Sequence, residues 1–137
     1  MMSENYHVLF IDEDVFIRNI LRHTLSAEFT ITTLPNGIEA MSWLEQGHEP
    51  DIIVTELKLP HLDGRELIQL VRGSNLFGHI PILVLSVVDD SATRIDCLDR
   101  GADGYINKPF NPMEVRAKIR AILRRTQPST ASLVASY

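Results

Sequence analysis

The stretch "DIIVTELKLPHLDG" (Asp51–Gly64) decides how the chain folds. Ile52, Ile53, Val54 and Thr55 are four β-branched residues in succession. Such side chains favour extended backbone, and an apolar run with no polar alternation reads as a strand covered on both faces. The run stops at a single acid, Glu56, and a turn made of Pro60, Asp63 and Gly64 follows. The question is what one carboxylate does where a buried strand runs out.

The same kind of run recurs on either side. "YHVLFI" (Tyr6–Ile11) and "IPILVLS" (Ile80–Ser86) are continuously apolar, hence buried strands. "FTITTL" (Phe29–Leu34) alternates in part and reads as a strand nearer an edge. "DGYIN" is a short fifth strand. Helical periodicity fills the gaps. "VFIRNILRHTL" places Ile17, Ile20, Leu21 and Leu25 at helical spacing. Asn36 with Glu39 three residues on opens a second helix that Gly47 stops. "GRELIQLVRG" carries Leu67, Ile68 and Val71 on one side and ends near Gly73. "DDSATRIDCLDRG" is expected to turn Ala92, Ile95 and Leu98 inward. "NPMEVRAKIRAILRR" has Asn111 as cap and Pro112 at the first helical position, with a stripe of Val115, Ile119 and Ile122. Five strands alternating with five helices predict an α/β, doubly wound parallel sheet, with its site at the carboxyl ends of the strands.

At 137 residues the chain fits one domain with a proper core. A net charge of −5 gives no general attraction to nucleic acid and disfavours anionic membranes. Cys97 is the only cysteine, so no internal disulfide can form, and a small buried hydrophobe in a reducing compartment is the natural reading. No apolar run is long enough to span a bilayer, and the N-terminus lacks the basic region and cleavage site of a signal peptide. A cytoplasmic protein is therefore expected. His7, His23, His48, His61 and His79 show no metal-ligand spacing. Glycine-rich nucleotide loops, nucleophile elbows and paired cysteines are absent, so no organic cofactor is expected.

The residues just after each strand are chemically pointed. Asp12, Glu13 and Asp14 follow the first, Glu56 the third, Ser86 ends the fourth, and Lys108 with Pro109 and Phe110 follows the fifth. Clustered carboxylates suit a hard divalent cation, and a lysine beside a hydroxyl suits phosphoryl oxygens. Asp14 by itself reads as a helix cap.

Taken together, "FIDEDVFIR", "PDIIVTELKLPHLDG", "IPILVLS" and "GADGYINKPFNP" resemble the receiver domain of two-component response regulators, over about Tyr6–Arg125. The resemblance implies a (βα)5, flavodoxin-like fold with strand order 2-1-3-4-5. It also implies that a histidine kinase places a phosphoryl group on an aspartate at the end of the third strand, with Mg²⁺ alongside. Carried over, Asp12 and Glu13 match the acidic pair that holds the metal together with the acceptor. Ser86 and Lys108 match the phosphoryl contacts, Pro109 a proline often preceded by a cis bond, and Ser86 with Tyr105 the switch. Glu56 falls on the phosphoacceptor itself.

That last match is a departure. Glutamate reaches farther than aspartate by roughly one C–C bond, ~1.5 Å, and in-line transfer is sensitive to a displacement of about 1 Å. Val87 stands where receivers usually carry a smaller residue and is expected to narrow the entrance. Lys58 is expected either to occupy the cation's place or to be a solvated lysine. Mg²⁺ affinity is expected to be weakened rather than lost, because Asp12, Glu13 and Glu56 remain. The reading is a non-enzymatic, phosphorylation-independent signalling module that acts through a protein partner, effector or kinase, with Glu56 touching Lys108 and Ser86. The alternatives are a phosphoacceptor that uses Glu56, autophosphatase chemistry there, and, more remotely, a small flavodoxin-like enzyme.

Residues 1–126 are read as the receiver and 127–137 as a flexible tail or linker remnant. The basic last helix resembles that of regulators that dimerise through the fourth helix, fifth strand and fifth helix. A homodimer face of Arg94, Tyr105, Arg116 and Arg120 is therefore expected. Direct nucleic-acid binding by these arginines is not expected of an acidic domain.

Overall fold

The computed structural model describes residues 5–126; the expected tail, 127–137, lies outside them. The elements follow strict alternation: β1 (His7–Ile11), α1 (Val15–Leu25), β2 (Thr30–Leu34), α2 (Gly37–Glu45), β3 (Ile52–Thr55), α3 (Gly64–Arg72), β4 (Ile82–Ser86), α4 (Ser91–Arg100), β5 (Gly104–Asn107) and α5 (Pro112–Thr126). All four neighbouring pairs are parallel, in the order β2-β1-β3-β4-β5. This is the doubly wound fold the sequence predicts, with β2 at an edge.

Continuous apolar strands are needed because helices cover both faces. Successive side chains of β1 point opposite ways. Leu9 and Ile11 join Ile53, Ile82 and Val84 beneath α2, α3 and α4. Val8 and Phe10 join Ile52, Val54, Leu83 and Leu85 beneath α1 and α5. Helix starts are fixed by short polar side chains, which satisfy amides that have no partner inside the helix. Asp14 accepts from the Phe16 amide, Asn36 from Glu39, and Asp63 forms a reciprocal capping box with Glu66. Among the described residues, no helix is long and apolar enough to cross a membrane.

Two sequence expectations are corrected. Ala92, Ile95 and Leu98 of α4 do not face inward: Ala92 is exposed, and Ile95 and Leu98 are 57% and 43% exposed. The buried residue of this helix is Cys97. Polar contacts dock α4 on α3 instead, with Arg65 bonding Thr93 and pairing with Asp96, and Arg100 reaching Gln69. On α1, Ile20 is 44% exposed, while Leu21 and Leu25 are buried. At the amino end of the sheet, Arg72 clasps the α3–β4 and α4–β5 connections together through the carbonyls of Gly78, Ile80 and Gly101 and the carboxylate of Asp103.

Candidate functional site

The sheet's hydrogen-bond ladder brings four strand ends level. The Asp12 amide donates to Leu34 O (3.1 Å), Glu56 to Ile11 O (3.0 Å) and Lys108 to Ser86 O (2.8 Å). Among the described residues the buried polar side chains are Asp12, Thr55, Glu56 and Ser86. Three of these are candidate site residues, and the fourth, Thr55, donates its hydroxyl to the Glu56 carbonyl at 2.8 Å. Gly64 lets the loop after β3 fold back over this end. A Cβ there would lie 2.6 Å from Glu56 O and 2.7 Å from Leu57 Cα, closer than side-chain carbons approach backbone.

At the centre, the Lys108 Nζ stands 2.6 Å from Asp12 Oδ2 and 2.9 Å from Glu56 Oε2. Glu56 Oε1 accepts from the amides of Leu57 (2.6 Å) and Lys58 (3.2 Å), and the Ser86 hydroxyl acts on the same carboxylate. Burial is the largest influence on Glu56 and pushes its carboxyl up. The Ser86 and Lys108 hydrogen bonds, the Lys108 charge and the Leu57 amide together outweigh it and hold Glu56 below the usual glutamate range. Burial likewise pushes Lys108 down, and its bonds and charge attraction to Asp12 and Glu56 win, so its ammonium is held above the usual lysine range. Asp12 Oδ1 accepts from the Asp14 amide at 2.9 Å, and Arg18 steadies the acidic turn through the carbonyls of Asp12 and Glu13. The Lys108–Pro109 peptide is cis.

As arranged, these donors do not fit a divalent cation. Glu13 is exposed, a lysine ammonium already lies between the other two acids, and among the described residues no group of three His, Cys, Asp or Glu side chains converges as a ligand set. Of the two residues expected at the entrance, Lys58 is exposed and forms no ion pair among the described residues, while Val87 is half-exposed. It is Lys108, not Lys58, that lies between the acids.

The two residues expected to act as a switch, Ser86 and Tyr105, meet at one residue of the β4–α4 loop. Ser86 Oγ accepts from the Val88 amide (3.1 Å), and the Tyr105 hydroxyl donates to Val88 O (2.6 Å). Burial raises the Tyr105 phenol. Arg94 lies over the Tyr105 ring, 5.5 Å from its centroid. Arg116 and Arg120 do not share this face. Arg120 grips Glu28 in a two-pronged ion pair on the α1 side, and Arg116 acts on the same carboxylate. The side of α5 beside β5 carries Glu114, Ala117, Lys118 and Ala121, which line a shallow cleft with Tyr105 and Ile106. Two contributors escape a reading by motif, Arg18 and Asn107. The signal for Asn107 was a polar residue two positions after Tyr105, hence on the same strand face.

A doubly wound sheet with acids, hydroxyl and lysine at its carboxyl end defines a signalling receiver. Residues 8–120 match the family model described as response regulator receiver domain, and the chain belongs to that family. It is 38% identical over 126 residues to the "Probable transcriptional regulator ycf27" of Guillardia theta, covering 91% of this chain and 48% of that protein. It is 37% identical, again over 126 residues, to "Response regulator MprA" of Mycobacterium tuberculosis, covering 91% and 54%. The chain thus spans about half the length of these relatives. Among solved structures it resembles the Francisella response regulator 1452 receiver domain (TM-score 0.83, 29% identity, covering 90% of this chain and 100% of that one). It also resembles the chemotaxis response regulator CheY4 of Vibrio cholerae (TM-score 0.80, 28% identity, covering 88% and 100%).

The site makes a pH prediction. Glu56 titrates lower in the folded chain than its ordinary 4.5, so its contribution to stability is complete above pH 4.5 and is lost as pH falls through the folded value. Lys108 titrates above its ordinary 10.5, so its contribution is complete below that pH and is lost only as pH rises through the folded value. Urea unfolding across the acid range should show wild type losing stability below pH 4.5 more steeply than Glu56→Gln. Parallel acid limbs would contradict the geometry.

Proposed function

We propose that this receiver works without phosphorylation, as a protein-interaction module held in one conformation by Glu56. The observation that carries this reading is the set of donors already turned on one carboxylate: the Leu57 and Lys58 amides and the Lys108 ammonium, with the Ser86 hydroxyl acting on the same group. Amides, a hydroxyl and a cation are the donors that a phosphoryl group's oxygens would require. The extra methylene of glutamate, worth ~1.5 Å of reach, sets the chain's own oxygens among them. Phosphoryl transfer depends on placing the nucleophile to about 1 Å, and this nucleophile is engaged on both oxygens. The imitation is partial, since a carboxylate carries one charge and a phosphoryl group adds nearly two.

The inward Tyr105 and the Ser86–Glu56 contact support an on-like conformation. Mg²⁺ binding is weak, because the ion must displace Lys108. The module is not an enzyme. Its partner is a protein, a kinase or an effector, and the names of its relatives favour a role in transcription control. A net charge of −5 argues against direct nucleic-acid contact, and a lone buried thiol favours the cytoplasm.

The outward apolar stripe of α4 favours a homodimer through α4, β5 and α5. Ala92, Ile95 and Leu98 would meet the Glu114, Ala117, Lys118 and Ala121 side of α5, where adjacent opposite charges suit a self-complementary interface.

Intact mass after incubation with acetyl phosphate and Mg²⁺ tests the main reading. Wild type should gain no phosphoryl adduct, and Glu56→Asp should gain one. A stable adduct mapped to Glu56 in wild type would overturn the proposal. For the dimer, sedimentation of Ile95→Glu should show a shift from dimer to monomer relative to wild type. A wild type that stays monomeric would remove the dimer from the account.

A further inference from the structure

The loop between β4 and α4 is held from below by β5. Register pairs Asn107 with Ser86. Strand alternation puts Tyr105 and Asn107 on one face, while Ile106 between them enters the core beneath α5. Both side chains reach the same acceptor. Val88 O receives the Tyr105 hydroxyl at 2.6 Å and Asn107 Nδ2 at 2.8 Å. The other end of the Asn107 amide is also used: its Oδ1 accepts from Arg94 Nη2 at 2.8 Å. The same nitrogen of Arg94 lies 3.0 Å from Asp89 Oδ1 within the loop. Arg94 belongs to α4, so the amide of Asn107 joins three things: the loop backbone, α4 and the strand that Lys108 follows.

We propose that Asn107, together with Arg94, is a positioning latch that fixes the β4–α4 loop and the start of α4 in the conformation that Glu56 selects through Ser86. This rests on the reading of Glu56 given above. The path is continuous. Lys108 pairs with Glu56 through its ammonium and donates its amide to Ser86 O, Ser86 Oγ accepts from the Val88 amide, and the Val88 carbonyl is held by Tyr105 and Asn107. Val88 is thus gripped at its N–H from the site and at its C=O from β5. Only a side chain with a donor at one tip and an acceptor at the other can bond Val88 O and Arg94 at once. Aspartate cannot. It keeps the Arg94 contact as a charged pair but turns an acceptor oxygen toward Val88 O. The latch also sets how α4 presents Ala92, Ile95 and Leu98, so it links the site to the outward face of that helix.

Hydrogen exchange at single amides tests it in wild type, Glu56→Gln, Asn107→Asp and the double variant. The Val88 amide should exchange about tenfold faster in Asn107→Asp, as expected for a local opening. The amide of Ala102, bonded to Cys97 O on the far side of α4, should be unchanged. Glu56→Gln alone should also speed Val88 exchange and should add nothing further in the Asn107→Asp background. Independent, multiplying effects, or an unchanged Val88 in Asn107→Asp, would overturn the latch. If Asn107→Asp does not fold, Asn107→Leu, matched in size and lacking both bonds, is held to the same criteria. Masses measured on the same samples keep the two claims apart. An adduct on wild type overturns the reading of Glu56, and additive exchange overturns the latch.

Discussion

The ammonium of Lys108, 2.6 Å from Asp12 and 2.9 Å from Glu56, is the contact on which the carboxyl end of this domain depends. Two buried carboxylates meet at this one ammonium, whose charge offsets the repulsion between them. Lys108 supplies that cation from the neighbouring turn, and its side chain is only 12% exposed. Removing it would strand two buried charges, at a cost of about 3–5 kcal/mol by analogy with broken buried pairs. With Lys108 in place, Glu56 is free to serve as an acceptor for amides and hydroxyl. From there the order runs outward through Ser86 and Val88 to Tyr105, Asn107 and Arg94.

One methylene therefore does two things. It brings the carboxylate to the Leu57 and Lys58 amides and the Lys108 ammonium, and on the proposed reading it gives the protein a fixed anion in place of a reversible one. A reversible switch needs two states whose balance a ligand can tip. Under the proposal, an anion built into the chain would bias the same element without a ligand.

Much of this was legible in the sequence because the relevant physics is local. Unbroken β-branched runs declared strands covered on both faces, Asp63 and Asn36 declared helix starts, and the topology then placed Asp12, Glu56, Ser86 and Lys108 at one end. What escaped was orientation. The Ala92, Ile95 and Leu98 stripe has the periodicity of a buried face. Periodicity reports that a stripe exists, and not whether this chain or another covers it. Arg116 and Arg120 read as basic residues of the last helix, yet their phase relative to Val115 and Ile119 turns them toward Glu28 and α1. Asn107 carries no motif, and its role depends on a carbonyl nineteen positions earlier in the chain.

The most direct test is a carbon-13 titration of the Glu56 side-chain carboxyl in the folded domain, with Lys108→Met as comparison. The account predicts a midpoint below the ordinary 4.5 in wild type and an upward move once the ammonium is gone. A wild-type midpoint at or above 4.5, indifferent to Lys108, would mean that Glu56 is not held in the cradle described, and the account would fail at its centre.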